Sequence, residues 1–340
     1  MIDVKQFKNT GENRVFIFHH NDFDGYSGGA VLYKYFTEEL GFSKDQILSK
    51  VIIYPTNDKT FTIEGVEPPT KEDFIAIVDY SITKDSKKYL NDIAELAFGI
   101  LWIDHHRSSL EICYKTDCSK LSEPLSARFY KIVNIDYSGA LLAFRTLFPN
   151  EKAPDILKYV DDYDRWILKY PESKKLNAGF NSLDALKDIY SIEWTSLLST
   201  DESSIATKRR DLITKVMLTS GTIVLKYDKS RHESLRKRIA YFVRLKDYAK
   251  YRVLAMNTQG HSNVFGSRLD DDDVDIGLLY YYDGTKYCYS IYSTKTDIDV
   301  SEIAQHYGGG GHKSASGFFS DTLVFTKDGD NGWTPFSSKD

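Results

Sequence analysis

Three short apolar runs, each closed by acidic residues, constrain this chain more than any other feature. "RVFIFHHNDFDG" carries an apolar stretch, Arg14 to Phe18, into His20, Asp22 and Asp24. "DFIAIVDYSI" ends in Asp79, and "FGILWIDHHRSS" in Asp104, His105 and His106. Val, Ile and Phe crowd together in these runs without helical spacing, which predicts short buried strands. Helix-compatible stretches separate them, among them "AVLYKYFTEEL" and "SKKYLNDIAELA". Strands alternating with helices imply parallel pairing in an open α/β sheet. A parallel sheet places its strand C-termini on one edge, where such folds bind ligands. Three acidic ends far apart in the chain should therefore converge in space.

Gathered carboxylates repel one another unless positive charge lies among them. Together with imidazoles they form the ligand set for Mn²⁺, Fe²⁺, Zn²⁺ or Mg²⁺. A single aspartate at a strand-to-helix turn can be explained as a helix cap, but three acidic strand ends cannot all be caps. A fourth cluster, "ILKYVDDYDRWIL", holds Asp161, Asp162 and Asp164 ahead of Trp166, a tryptophan expected to be buried. Alone it would read as a solvated charge run. Beside the other three it becomes the last ligand source, with Asp162 and Asp164 both eligible.

The 340 residues suffice for two domains, each with its own core. A hydrophobic share of 41% and a charged share of 27% describe a globular chain. Nothing approaches the run of about 18 apolar residues that spans a bilayer. Net charge is −5, from 44 basic and 49 acidic residues, which argues against coating long nucleic acids through many phosphate contacts. Cys113, Cys118 and Cys288 form a sparse, odd set without paired metal spacing, and suit a reducing cytoplasm. The opening "MIDVKQFKNTGENR" lacks the apolar stretch of a secretory signal, which agrees with that expectation.

Residues 186–247 are polar and helix-compatible and read as helices connecting two domains. Their basic run, Arg231 to Arg238, reads first as a solvated helix face and second as a steering patch for an oligonucleotide. From Tyr251 onward strands return in "YRVLAMNTQ", "DVDIGLLYYYD" and "KYCYSIYST". "DVSEIAQHY" follows as a helix that Asp299 can cap. Gly308, Gly309, Gly310 and Gly311 come next, then His312 and the strand "SASGFF". Four glycines exceed the needs of a helix C-cap, and such a run lets backbone N–H groups close on an anion. Tyr292 can either stack on a base or cover the core as a strand tyrosine. Arg268 is a further candidate for substrate contact.

"HNDFDG", "VDYS", "IDHH" and "DDYDRW", in that order, resemble the motifs of the DHH phosphoesterase superfamily. "DVSEIAQHYGGGGHKSASGFF" resembles its companion DHHA1 domain. The resemblance runs over roughly residues 14 to 320. It implies an N-terminal parallel-sheet DHH catalytic domain over residues 1–185 and connecting helices over 186–247. A smaller α/β DHHA1 substrate-binding domain over 248–325 and a polar tail over 326–340 complete the chain. It also implies two divalent metal ions, Mn²⁺ foremost. His20, Asp22 and Asp79 would hold one; Asp24, Asp79, His105 and Asp162 or Asp164 would hold the other. His106 would lie beside the substrate phosphate, Asp104 would orient the histidine pair, and the glycine run with His312 would hold phosphate or sugar.

Many members place the first histidine four residues before the first aspartate. Here that position is Phe18, and the short form with His20 is similar to the nano-RNase branch. Many DHHA1 domains carry arginine where Tyr292 stands. The resemblance implies hydrolysis of short single-stranded RNA to mononucleotides, with DNA oligonucleotides and dinucleotides as further substrates. The alternatives are a cyclic-dinucleotide phosphodiesterase and a RecJ-like single-strand DNA exonuclease. It leaves room for a homodimer and expects no membrane partner.

Overall fold

The computed structural model of the protein describes residues 7–52, 63–81, 97–106, 109 and 129–327. Cys113, Cys118, most of "SKKYLNDIAELA" and most of the polar tail lie outside them. Residues Met1–Leu225 and Lys226–Asp340 form two units, each with its own core.

In the first unit, strands β1 (Val15–His20), β2 (Ile47–Ile52), β3 (Phe74–Val78), β4 (Gly99–Asp104) and β5 (Phe129–Val133) pair in the order β2-β1-β3-β4-β5. Every pairing is parallel. Successive strand residues point to opposite faces, so each apolar run supplies two cores. Val15, Ile17, Ala76, Val78, Leu101 and Ile103 face one way, and Phe16, Phe18, Ile75, Ile77, Ile100 and Trp102 the other. The first set is covered by helices α1 (Phe23–Lys34), α2 (Gly139–Leu147), α3 (Asp155–Asp164), α4 (Pro171–Asn181) and α5 (Ile192–Leu197). A sheet buried on both faces needs near-continuous apolar strands, and that is why these runs do not alternate with polar residues.

The stretch read as connecting helices is dominated by one helix, α6 (Ser204–Ile239), of 36 residues. It runs through Gly221 without interruption because that glycine lies against α4. A Cβ on Gly221 would sit 1.8 Å from Lys175 O, and one on Gly179 would sit 2.1 Å from Met217 O. Gly221→Ala would gain about 1 kcal/mol of helix propensity, but overpacking of a well-filled contact costs about 1–3 kcal/mol or more. The variant is expected to melt lower by several degrees, and a higher Tm in thermal unfolding would show that the crossing is not close.

The second sheet has the order β10-β11-β9-β8-β7-β6-β12. Its strands are β6 (Tyr241–Leu245), β7 (Val253–Asn257), β8 (Ile276–Tyr282), β9 (Tyr287–Tyr292), β10 (Gly310–His312), β11 (Ala315–Ser320) and β12 (Phe325–Lys327). β7 and β8 pair parallel, and the other pairings are antiparallel. Helix α7 (Val300–His306) buries Val300, Ile303 and Ala304 in the same core as Ile291 and Phe318. The sheet begins at Tyr241, inside the segment expected to remain helical to residue 247. Val243 and Leu245 are fully buried while Arg244 between them is not, so the two-residue period of a strand prevails over the helical reading there. No helix among the described residues is long and apolar enough to cross a membrane.

Candidate metal centre

His19 of β1, Val78 of β3 and Ile103 of β4 share one rung of the parallel sheet. The residues that follow them, His20, Asp79 and Asp104, therefore emerge side by side. Asp79 N donates the last ladder bond to Ile103 O at 3.0 Å, after which the backbone turns left-handed, with φ of 53°. Asp22 caps α1 by accepting from Gly25 N at 2.8 Å, and its other oxygen meets His20 Nδ1 at 2.6 Å. Asp24, one residue into the helix, reaches the start of α2. It accepts from Gly139 N at 2.6 Å and Ala140 N at 3.0 Å, where the positive end of the helix dipole favours an anion. Glycine begins α2 because a Cβ at residue 139 would stand 2.8 Å from Asp79 Cβ.

His105 Nε2 is the meeting point. It lies 3.1 Å from Asp79 Oδ1, 3.3 Å from Asp164 Oδ2 and 3.6 Å from Asp24 Oδ2. Asp104 is fully buried behind the histidine pair. Its Oδ1 accepts from His105 N at 2.8 Å, from His106 N at 3.4 Å and from His106 Nδ1 at 2.8 Å. Its Oδ2 accepts from Ser109 Oγ, which also lies 3.0 Å from Ser81 Oγ. These hydroxyls were not singled out in the sequence, where isolated serines carry no signal.

The electrostatics state what the cluster lacks. Burial, then the charges of Asp24, Asp22 and Asp164, push the Asp79 carboxyl well above the usual range. Burial with Asp24 and Asp22 does the same to Asp164. Burial also raises Asp24, against the pull of His105. Burial would lower His106, but the hydrogen bond and charge of Asp104 outweigh it and raise the imidazole. Asp79 Oδ2 and Asp164 Oδ2 are buried and have no hydrogen-bond donor. Orphaned buried carboxylate oxygens are costly, and a cation satisfies them. Among the described residues, three sets bring their ligand atoms within 4.8 Å of one another: His20, Asp22 and Asp79; Asp24, His105 and Asp164; Asp79, His105 and His106. Asp79 belongs to two of these sets, and the donors fit divalent metal ions.

The two aspartates left open by the sequence separate here. Asp164 joins the cluster, whereas Asp162 is committed elsewhere, its oxygens accepting from Lys169 N at 2.8 Å, Tyr170 N at 3.1 Å and Ser173 Oγ at 2.6 Å. Residues two apart on a helix face nearly opposite directions, so only one of the pair can look into the centre. Trp166, expected in the core, is 62% exposed. Its backbone is left-handed, with φ of 57°, and this turns the side chain outward from the end of α3. Asp79, Trp166 and Leu168 are the non-glycine residues at positive φ among those described. Each such residue costs on the order of 1–3 kcal/mol, strain that concentrates at functional sites. His19, beside His20, is a core residue. Burial lowers its pKa to about 4, and it sits 4.7 Å from the Tyr26 ring.

Within the second unit, Asp299 caps α7 as expected, accepting from Ser301 N at 2.9 Å. Gly308 ends the helix at φ of 80°. Gly309 and Gly311 allow β10 to lie against β11, since their Cβ atoms would fall 2.1 Å from Gly317 O and 2.6 Å from Ser316 Cα. Gly310 alone of the four in this ordered turn and strand faces open space without a helix-ending φ. His312 pairs in register with Ala315. The Tyr292 ring meets Phe265 edge-on at 6.2 Å, consistent with its reading as a strand tyrosine over the core. Arg268 is ion-paired with Asp271 and, at 3.5 Å, with Asp273. In the basic run, Arg236 donates to Val264 O at 2.7 Å.

Residues 14–169 match the family described as DHH family, N-terminal domain. The sequence is 25% identical over 340 residues to an uncharacterized protein of Acanthamoeba polyphaga mimivirus, covering 98% of this chain and 72% of the relative. It is 23% identical over 305 residues to oligoribonuclease NrnB of Bacillus subtilis, covering 88% and 71% respectively. Among solved structures, exonuclease RecJ bound to manganese superimposes with a TM-score of 0.50 at 15% identity, over 93% of this chain and 88% of that one. The DHH domain of a member of the s1p family of ribosomal proteins gives 0.53 at 14% identity, over 91% and 83%. At these identities the structural likeness is one of fold.

Proposed function

We propose that the chain, whose residues 14–169 match the DHH family N-terminal domain, is a metal-dependent phosphodiesterase acting on short oligonucleotides, RNA foremost. The observation that carries this reading is Asp79, shared between ligand sets, with one buried oxygen lacking any donor. His20, Asp22 and Asp79 would hold one divalent ion, and Asp24, Asp79, His105 and Asp164 a second, with Mn²⁺ preferred. Such ions supply Lewis acidity toward a phosphodiester and lower the pKa of a water.

The chain's own residues do the rest. Asp104 fixes His106 with Nδ1–H toward its carboxylate, which leaves Nε2 for a phosphate oxygen. A raised imidazole pKa keeps that ring cationic further into the neutral range. Asp24, bonded to two amides of α2, cannot swing away and holds its side of the centre rigid. In the second unit, the Gly308–Gly311 run and His312 are the proposed contacts to a phosphate or sugar of a nucleotide. Similarity to an oligoribonuclease over 88% of this chain supports the short-RNA reading.

Affinity for long strands grows with the phosphates a basic track neutralises, and a net charge of −5 offers little such track. kcat/KM is therefore expected to be greatest for fragments of roughly two to five nucleotides and to fall beyond them. The test incubates the Mn²⁺-loaded chain with labelled RNA and DNA of graded length and with cyclic dinucleotides, and resolves the products. Processive digestion of long single-stranded DNA would favour the RecJ-like alternative. Cleavage confined to cyclic dinucleotides would favour the other.

A further inference from the structure

We propose that Trp166 is a stacking platform for a substrate nucleobase, taking the base attached to the phosphate that the acidic centre holds. The inference rests on the phosphodiesterase reading and adds a base subsite to it. A large indole is normally buried, yet Trp166 is 62% exposed and its neighbour Ile167 is 48% exposed. This exposure is not slack. The loop that carries the ring is tied to Asp162, whose backbone oxygen accepts from Ile167 N at 2.9 Å and Leu168 N at 3.1 Å. The Asp162 carboxylate takes three further donors, from Lys169, Tyr170 and Ser173. Left-handed backbone at Trp166 and Leu168 is thus held in place by a buried hub, and the indole is pre-set in its outward position.

The position relative to the centre is equally specific. Trp166 follows Asp164 by two residues, so the two Cα atoms lie within about 7 Å. Tyr163 stands beside both, its ring 5.7 Å from the indole in an edge-on contact. Lys174 places its ammonium 5.7 Å from the indole centroid. Carboxylate ligand, aromatic face and cation thus follow one another along one short segment, as phosphate, base and the next phosphate do along a nucleic-acid strand. A flat indole with one cation suits a π-face and an anion together, the pair that a nucleotide offers. Stacking is tolerant of base identity, so the subsite would favour any base over none and would discriminate weakly among the four.

The test uses the metal-loaded full chain as wild type, Trp166→Ala and Trp166→Phe. The substrates are a dinucleotide and its two counterparts lacking one base or the other. Trp166→Ala is expected to lower kcat/KM for the intact dinucleotide roughly 5- to 100-fold, with bound metal unchanged and Trp166→Phe retaining most of the rate. One abasic substrate should show the same loss with wild type and no further loss with Trp166→Ala. In parallel, a phosphorothioate dinucleotide should quench tryptophan fluorescence in wild type, and that quenching should be absent in Trp166→Phe. Unchanged kcat/KM in Trp166→Ala, independent losses from the variant and the missing base, or loss of metal would each overturn the platform. If wild type cleaves no dinucleotide, the phosphodiesterase reading fails by itself. The quenching titration then decides the platform alone, and its absence overturns it.

Discussion

Asp79→Asn is expected to silence the centre and at the same time to raise the melting temperature of the metal-free chain. The two effects share one cause. Asp79 is a buried carboxyl among Asp24, Asp22 and Asp164, and burial with those charges raises its pKa well above 3.8. As pH climbs past that ordinary value the unfolded chain ionises freely while the folded chain resists, so the folded state binds more protons and stability falls with rising pH. Asparagine keeps the shape, tolerates the left-handed backbone at φ of 53°, and removes the repulsion. The Tm gap between variant and wild type should therefore be absent near pH 4 and open upward from there. Metal reverses the order. Cations are expected to stabilise wild type increasingly as pH rises, since binding displaces protons, and to leave Asp79→Asn nearly unmoved. Loss of the shared ligand forfeits several kcal/mol of charge stabilisation, so hydrolysis should fall by about a thousandfold or more. Thermal scans with and without Mn²⁺ across pH, beside turnover, check all three. Near-normal turnover or a lower metal-free Tm in the variant would break the argument.

The next largest effect is expected at Asp104→Asn, and it should change the pH profile as well as the rate. Asp104 holds two backbone amides and the His106 ring from behind. Burial alone would lower the His106 pKa, and Asp104 is the foremost of the groups that raise it, ahead of Asp24 and Asp22. With a neutral amide in its place the largest raising contribution is lost, so the pH at which the imidazolium is lost moves down. If cationic His106 receives the phosphate, wild-type kcat/KM declines as pH rises through the folded pKa of His106, and in the variant that limb shifts toward acid. Partners that orient ligand histidines are worth about 10–100-fold, so a loss of about a hundredfold is expected near neutrality, shrinking at lower pH. A parallel loss at every pH, with the limb unmoved, would assign Asp104 to scaffolding and remove His106 from the phosphate.

Most of the centre was legible because the sheet is parallel and buried. Continuous apolar runs announce such strands, and parallel order alone brings His20, Asp79 and Asp104 to one edge. The ambiguity between Asp162 and Asp164 was a different matter. Both sit on α3, and the inward face is decided by the segment from Lys169 to Ser173 folding back onto Asp162, which no local pattern announces. Trp166 was misread for a related reason. Its hydrophobicity argued for burial, while the left-handed backbone that turns it outward is set by those same bonds. The grip of Asp24 on Gly139 and Ala140 spans more than a hundred residues and lay beyond any spacing argument. Ser138 caps the start of α2, a local device that does not say what that helix end faces. Strand β6 escaped because it is five residues long and follows directly on a helix-compatible run, so one alternation, Val243 and Leu245 around Arg244, is too short to stand out.

The bond from Asp24 to α2 makes the centre readable from the backbone. Its carboxylate touches Gly139 N and Ala140 N while facing His105. Any cation drawn to Asp24 withdraws electron density from the oxygens those amides bond, so loading would register at two backbone resonances, as a shift with diamagnetic Mg²⁺ and as broadening with paramagnetic Mn²⁺. Glycine ¹⁵N signals are sparse in a chain with 21 glycines among 340 residues. Gly139 thus serves as a spectroscopic gauge of occupancy, read at the backbone rather than at the metal.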